Sequence, residues 1–320
     1  MAIEPTEITV EVRPRARFDI IDVRRRVLEK HGSVLELFPQ AVYCSFHTTA
    51  GYLDQTLASR LSTSAGVTPY LRAFRTVFPE GAGYQHDELH LRRELSDEQR
   101  RVEPRNADSH LAFISAGLRT CVTYRHRSDE PVYFIDLDGI NAGRPRQRIT
   151  SVLGYRAEEV VARDRLRVPV TARSVDSVNL KDPCLGLFDQ LQELIARHGV
   201  TKGRIHMALA AGERQAALTV NEYETLLMQH DLADVIRNPF RFMAERRRGL
   251  LTHPRAIRTR TIACARFLRL QRSVSLLVSD CGTAGCGRLV HGRFQSPIMV
   301  QWRPAEGCTR DIDVSLTRFL

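Results

Sequence analysis

The sequence predicts two tandem copies of one α+β domain. Three observations carry this expectation. The 320 residues are long for one core and comfortable for two, because domains cluster at about 100–150 residues. A strand, a helix and a second strand follow one another once in each half. The second strand leads in both halves into a short polar motif, and a repeat of this kind outranks any local signal.

In the first half, Thr9-Val10-Glu11-Val12 alternates as a half-buried strand does, and an amphipathic stretch from Ile20 to Lys30 stops at His31-Gly32. In the second half, Arg167-Val168-Pro169-Val170 opens the corresponding segment. A helix then runs from Asp182-Pro183 through Leu187, Leu191, Leu194 and Ile195 to His198-Gly199. Asp then Pro suits a helix start, and Gly just past the last turn suits its end. Each helix feeds an apolar run of strand type, Ala41 to Phe46 in one half and Arg204 to Ala211 in the other. These runs open onto decapeptides that align without a gap, His47 to Thr56 against Glu213 to Glu222. The boundary falls between Tyr155 and Arg167, which divides the chain into domains 1–160 and 161–320. That stretch and the charged loop from Ser96 to Arg105 are the expected cutting sites for a protease.

Apolar residues at 43% and charged residues at 26% exclude a disordered chain. The net charge is +10, and nearly all the positive charge is arginine, since Lys30, Lys181 and Lys202 are the only lysines. Guanidinium groups match phosphate and carboxylate oxygens bidentately. No nucleic-acid motif accompanies them, so a phosphorylated small molecule ranks ahead of nucleic acid as partner. Arg24-Arg25-Arg26 and Arg246-Arg247-Arg248 read as solvated helix faces. The start Met1-Ala2-Ile3-Glu4-Pro5 is not that of a signal peptide, and no apolar run approaches the roughly 20 residues that span a bilayer. A cytoplasmic protein without membrane contact is expected. Seven cysteines in a chain of this size read as reduced thiols, and Cys281 and Cys286 as incidental to a glycine-rich turn.

The first copy carries His47-Thr48-Thr49-Ala50, Tyr84-Gln85-His86-Asp87, Ala107-Asp108-Ser109-His110 and the basic Arg144-Pro145-Arg146-Gln147-Arg148. These motifs resemble those of the YjbQ-like family, also called the secondary thiamine-phosphate synthase family, whose members are usually single domains of about half this length. The first copy departs from the family at Gln55-Thr56, where Asn-Glu is usual, and at Val132-Tyr133-Phe134, where a Trp-Gln strand is usual. The second copy resembles the family where the first does not, at Asn221-Glu222, at His230-Asp231 and at Gly287 to Gln295, with Phe294 for Trp. Its His-Thr-Thr position reads Glu213-Arg214-Gln215. The resemblance implies two tandem YjbQ-like domains, each a mixed, largely antiparallel sheet or sandwich with packed helices, and a trimer-like homo-oligomeric assembly.

With the motif positions as guide, His47, His86 and His110 form the candidate catalytic and metal-ligating set, and Glu222 the candidate general base. Three imidazoles suit Zn, and a diphosphate substrate suits Mg, but direct use of the imidazoles as acids and phosphate donors is an equal reading. Thr48, Thr49, Asn221 and Gln295 are candidate substrate ligands. Arg144, Arg146 and Arg148 alternate, so on one strand they would make a phosphate clamp. Asp231 is equally a structural cap, an ion-pair partner or a ligand. The resemblance implies transfer between an aminopyrimidine diphosphate and a thiazole phosphate with loss of diphosphate, at a composite site shared by the repeats. A decayed ligand-binding pseudoenzyme and an arginine-rich nucleic-acid-binding protein are the alternatives.

Overall fold

Alternation makes the first strand, Thr6–Val12 (β1): Ile8, Val10 and Val12 are buried while Thr9 and Glu11 face water. The computed structural model describes residues 3–92, 95–126, 130–171, 176–213, 216–220, 230–237, 271–279, 288–289, 297–301 and 309–320. After β1 come β2 (Asp19–Asp22), α1 (Val23–His31), β3 (Gln40–Ser45) and β4 (Ala50–Gly51). Helices α2 (Gln55–Leu61), α3 (Ser64–Val77), α4 (Asp97–Val102) and α5 (Ala107–Ser115) precede β5 (Cys121–Arg125) and β6 (Tyr133–Asp136). The short β7 (Ile140–Asn141) and β8 (Arg144–Pro145) pair with each other, and β9 (Arg148–Tyr155) closes this half. The second half runs β10 (Glu158–Pro169), β11 (Asp176–Asn179), α6 (Leu187–Arg197), β12 (Gly203–Leu209), β13 (Ala216–Ala217) and α7 (Leu232–Arg237). It ends with β14 (Ser273–Ser279), β15 (Arg288–Leu289), β16 (Pro297–Gln301) and β17 (Thr309–Phe319).

The strand orders repeat. One antiparallel sheet runs β1-β9-β3-β5 and its counterpart β10-β17-β12-β14, with β15 added at the edge. A smaller sheet runs β2-β6-β4 and its counterpart β11-β16-β13. Equivalent positions make equivalent hydrogen bonds. Ser45 N–H donates to Thr120 O at 2.6 Å as Leu209 N–H donates to Arg272 O at 2.9 Å, and Tyr52 N–H donates to Arg119 O at 2.8 Å as Leu218 N–H donates to Gln271 O at 2.7 Å. The chain is therefore an α+β protein built from one pattern used twice.

In the first unit the small sheet is a middle layer. Ile21 and Phe134 join Val10, Tyr43, Tyr52 and Val152 in the core against the large sheet. Ile135 and Leu137, on the opposite side, join Leu71, Phe74, Leu111 and Phe113 of α3 and α5. Leu232 and Val235 of α7 belong to this second core as well. The outer face of the large sheet packs Val42, Cys44, Cys121, Leu153 and Tyr155 against Leu277 and Phe319, with the Tyr155 and Phe319 rings stacked at 4.0 Å. Among the described residues no helix is long and apolar enough to cross a membrane.

Several local expectations change. Ile20 and Ile21 are strand, because Asp22 accepts the Arg25 N–H at 3.1 Å and so starts the helix at Val23. Gly32 and Gly199 do end their helices, at φ +65 and +57. The helix expected from Asp182 begins at Leu187, because left-handed Gly186 separates it from the turn Pro183–Leu185. Arg167-Val168-Pro169 ends β10 and does not open a segment. The charged loop after Ser96 is α4, fixed by a capping box between Ser96 and Gln99. Cys281 and Cys286 lie outside the described residues.

The stretch expected as a linker is mostly strand. Only Arg156 and Ala157 separate β9 from β10, and both donate to Leu320 O, at 2.9 and 3.0 Å, while Leu320 N–H returns a bond to Ala157 O at 2.8 Å. A protease needs an extended, accessible bond. Trypsin is therefore expected to spare Arg156 until the protein unfolds globally. Early fragments ending at Arg156 in a mass-spectrometric time course would contradict the double anchoring of this turn.

Candidate functional site

The site begins where β6 ends. The apolar run Val132 to Ile135 is followed by Asp136-Leu137-Asp138-Gly139, two buried carboxylates two residues apart. Gly139 is required there, since a Cβ would lie 2.5 Å from Pro14 Cβ and 2.6 Å from Ala16 O. Arg148, first residue of β9, is 3% exposed and lays its fork on Asp136, with Nε to Oδ2 at 2.7 Å and Nη2 to Oδ1 at 2.8 Å. Its Nη2 also donates to Asp138 O at 2.7 Å and to Thr49 Oγ1 at 3.3 Å. Burial pushes the Asp136 carboxyl up, and the hydrogen bonds and charge of Arg148 pull it down.

Asp138 accepts Asn106 Nδ2 at 2.7 Å and an Arg146 guanidinium N–H, and Arg17 Nε lies 3.9 Å from it. Arg17 Nη2 donates to Asp108 at 2.8 Å, and Glu80 holds the other end of the same fork. Asp108, on the first turn of α5, is pushed up to about 6 by burial against the opposing pull of Arg17, with the neighbouring carboxylates Asp87, Glu80 and Asp138 adding to the rise. The expected phosphate clamp is thus not one strand face. Arg144 is exposed on β8, Arg146 is paired with Asp138, and Arg148 is committed to Asp136.

His47 follows β3, and its Nε2 accepts the Ile149 N–H at 2.8 Å, which puts the ring proton on Nδ1. Burial, then Arg148 and Arg146, lower its pKa to about 3, so the ring is neutral at ordinary pH. The second unit confirms the alignment of His47 with Glu213. Glu213 Oε1 accepts the Asp311 N–H at 3.0 Å, and Oε2 accepts Arg310 Nη1 at 2.6 Å. Arg310 and Asp311 in β17 therefore stand where Arg148 and Ile149 stand in β9. By register, Asp136 opposite Ala50 corresponds to Gln301 opposite Ala216. The carboxylate for the buried arginine has moved from β6 to the position of His47.

The other two histidines do meet. His86, in the turn Gln85–Asp87, and His110, on α5, are fully buried with ring centroids 5.3 Å apart. Asp87 Oδ1 accepts the Ala107 N–H at 3.0 Å and lies 3.0 Å from His86 Nδ1. A carboxylate oxygen only accepts, so His86 carries its proton on Nδ1. His86 Nε2 is buried with no hydrogen-bond partner among the described residues, and so is Asn106 Oδ1. The second unit reaches this locus through Asp231, whose Oδ1 and Oδ2 accept the N–H groups of Gln85 and His86 at 2.8 and 2.9 Å.

Among the described residues no three histidine, cysteine, aspartate or glutamate side chains are placed to hold a metal ion. With His47 Nε2 engaged by backbone, the three histidines do not fit one shared ion. Thr48 and Thr49 are buried. Asn221, Glu222 and Gln295 lie outside the described residues. The strand matching β6 is β16, so Gln295 precedes it. Sequence reasoning passed over Arg17, Asn106, Asp136 and Asp138. The Asp-x-Asp-Gly closing an apolar run was the available signal, because such carboxylates are buried unless the strand stops short.

No family model matches the chain, and no curated protein matches it. Among solved structures, it is similar to a YbjQ-like protein of unknown function from Sulfolobus solfataricus P2, at 22% identity over 51% of this chain and 99% of that one, TM-score 0.32. A hypothetical protein from Aeropyrum pernix K1 is 16% identical over 49% of this chain and 98% of that one, TM-score 0.30. An uncharacterized conserved protein of the yjbq/upf0047 family from Clostridium acetobutylicum is 13% identical over 48% and 98%, TM-score 0.29.

The His47 geometry makes a pH prediction. Its folded pKa of about 3 lies below the unfolded value of about 6.5. The unfolded chain then binds the extra proton, so the stability His47 contributes is present above pH 6.5 and lost as pH falls toward 3. His47→Gln keeps an acceptor for Ile149 and removes the titration. It should flatten the acid limb, so that at pH 4.5 the variant gains about 2 kcal/mol relative to wild type compared with pH 7.5. Parallel urea titrations at the two pH values check this, and identical wild-type and variant slopes would overturn it.

Proposed function

We propose that this chain is an acid–base enzyme acting on a phosphorylated small molecule, with His86 as the proton-transfer group. The observation that carries the reading is the Asp87–His86 pair. A carboxylate fixes the ring by its Nδ1–H, and Nε2 is left buried and unshared among the described residues. A buried, oriented imidazole lone pair is costly without a partner and is what a general base needs. The His110 ring lies beside that of His86, tilted, with centroids 5.3 Å apart. The chain Arg146–Asp138–Asn106 leads to Ala107, whose N–H Asp87 holds. Arg144 and Arg146 are accordingly the groups for a phosphoryl oxygen, and Arg148 and His47 hold the fold beneath them.

The motif resemblance supplies the substrate class and suggests transfer with loss of diphosphate. The composite reading, with Asn221 and Glu222 as contributors from the second unit and a trimer-like assembly, belongs to the same proposal. A second reading, a ligand-binding protein without turnover, is favoured by one observation: Arg146 and Arg148 are already neutralised by Asp138 and Asp136.

The test is diphosphate release from an aminopyrimidine diphosphate with a thiazole phosphate, run beside calorimetric binding of both compounds. His86→Gln should lower the rate at least about 100-fold, the usual scale for a lost general base, while binding persists. Binding without turnover in the wild type would select the second reading. Wild-type turnover by His86→Gln would remove His86 from the chemistry.

A further inference from the structure

Asp231 is the one described side chain of the second unit that hydrogen-bonds the segment carrying His86. It is 4% exposed and precedes α7, whose Leu232 and Val235 are embedded in the core of the first unit. Its two oxygens accept two consecutive backbone N–H groups, Gln85 at 2.8 Å and His86 at 2.9 Å. These are the first two donors of the turn Gln85–Asp87, for which Tyr84 provides no side-chain cap. The turn is capped across the unit boundary by a carboxylate that spans both donors.

We propose that Asp231 is a positioning residue for His86, so that the second unit sets the orientation of a proton-transfer group housed in the first. The inference rests on the reading of His86 as that group. The physical argument is one of rigidity. His86 Nδ1 must meet Asp87 Oδ1, while Asp87 is held separately by the Ala107 N–H on α5. Asp87 is thus referenced to the helix, and His86 to the second unit. The His86–Asp87 bond forms when both references hold. A carboxylate accepting two backbone donors is stronger than a neutral acceptor and leaves neither N–H unsatisfied in the buried turn. The arrangement gives the duplication a mechanical role, because a lone first unit contains no counterpart of this cap among its described residues.

Side-chain 15N spectra of the full chain read the His86 tautomer without requiring turnover. In the wild type the Nδ1–H form should dominate. Asp231→Asn turns an N–H donor toward one of the two amides, and the share of the Nε2–H form should rise at least about tenfold, the scale of one charge-assisted hydrogen bond. Asp87→Asn should do the same, and Asp231→Glu should keep most of the wild-type signal. If Asp231→Asn does not fold, Gln85→Pro removes one of the two donors without touching the carboxylate, and Tyr84 at ψ 139 already has the backbone a following proline requires. It should shift the tautomers in the same direction. A wild-type His86 spectrum in folded Asp231→Asn, or in Gln85→Pro where Asp231→Asn does not fold, would overturn the proposal, since a merely stabilising Asp231 would lower the melting point and leave the ring alone. Altered tautomers in a protein with no turnover would leave the orienting of the His86 ring by Asp231 standing and remove the enzyme reading. Unaltered tautomers with His86-dependent turnover would do the reverse.

Discussion

The fork of Arg148 on Asp136 joins the end of the small sheet to the start of the last strand of the large one, and both partners are buried. Two charges in such a place gain less from each other than they lose from water, so the pair is not by itself a source of stability. Its importance is conditional. Once Arg148 is inside, a carboxylate must accompany it, and Thr49 and the Asp138 carbonyl complete its donors. This guanidinium ties the loop after β3 to the loop after β6, beside the Leu137 N–H that donates to Thr49 O at 3.0 Å.

The second unit obeys the same requirement by another route. Arg310 takes its carboxylate from Glu213, and the register gives Gln301 the place of Asp136. This explains the difference between His47 and Glu213 more directly than decay or catalysis does. Both accept the backbone N–H after the buried arginine. Where β6 already carries the charge, a neutral imidazole suffices, and its pKa near 3 keeps it neutral. Where it does not, the same position must bring the charge too. The two units are further locked by Gln271 on Leu118 O, by Arg204 Nη1 on Thr123 Oγ1 at 2.6 Å and by Asp231 on the His86 turn. Duplication has produced one interlocked body around the His86–His110 locus.

Much of this organisation was legible in the sequence because it is carried by short-range signals. Strand alternation at Thr9 to Val12 and helix-stopping glycines at Gly32 and Gly199 need no tertiary knowledge. The alignment of His47 with Glu213 held because β4 and β13 follow at the same distance. What was not legible depends on partners distant in sequence or on exact turn geometry. Three alternating arginines look like a clamp until Asp136 and Asp138 are known to neutralise two of them. His47 looks equivalent to His86 and His110 until Ile149 N–H is found on its Nε2. Ile20 and Ile21 look helical until Asp22 caps Val23 and sends them to opposite cores.

A double variant measures the exchange of carboxylate position between the units. Asp136→Asn leaves Arg148 buried without its charge partner and should cost about 3–5 kcal/mol in chemical denaturation. Adding His47→Glu transfers the second unit's solution to the first, so His47→Glu with Asp136→Asn should recover at least about half of that loss, a coupling of the size neighbouring charges show. A double variant no more stable than Asp136→Asn alone would contradict the account, because position 47 would then be unable to do for Arg148 what Glu213 does for Arg310.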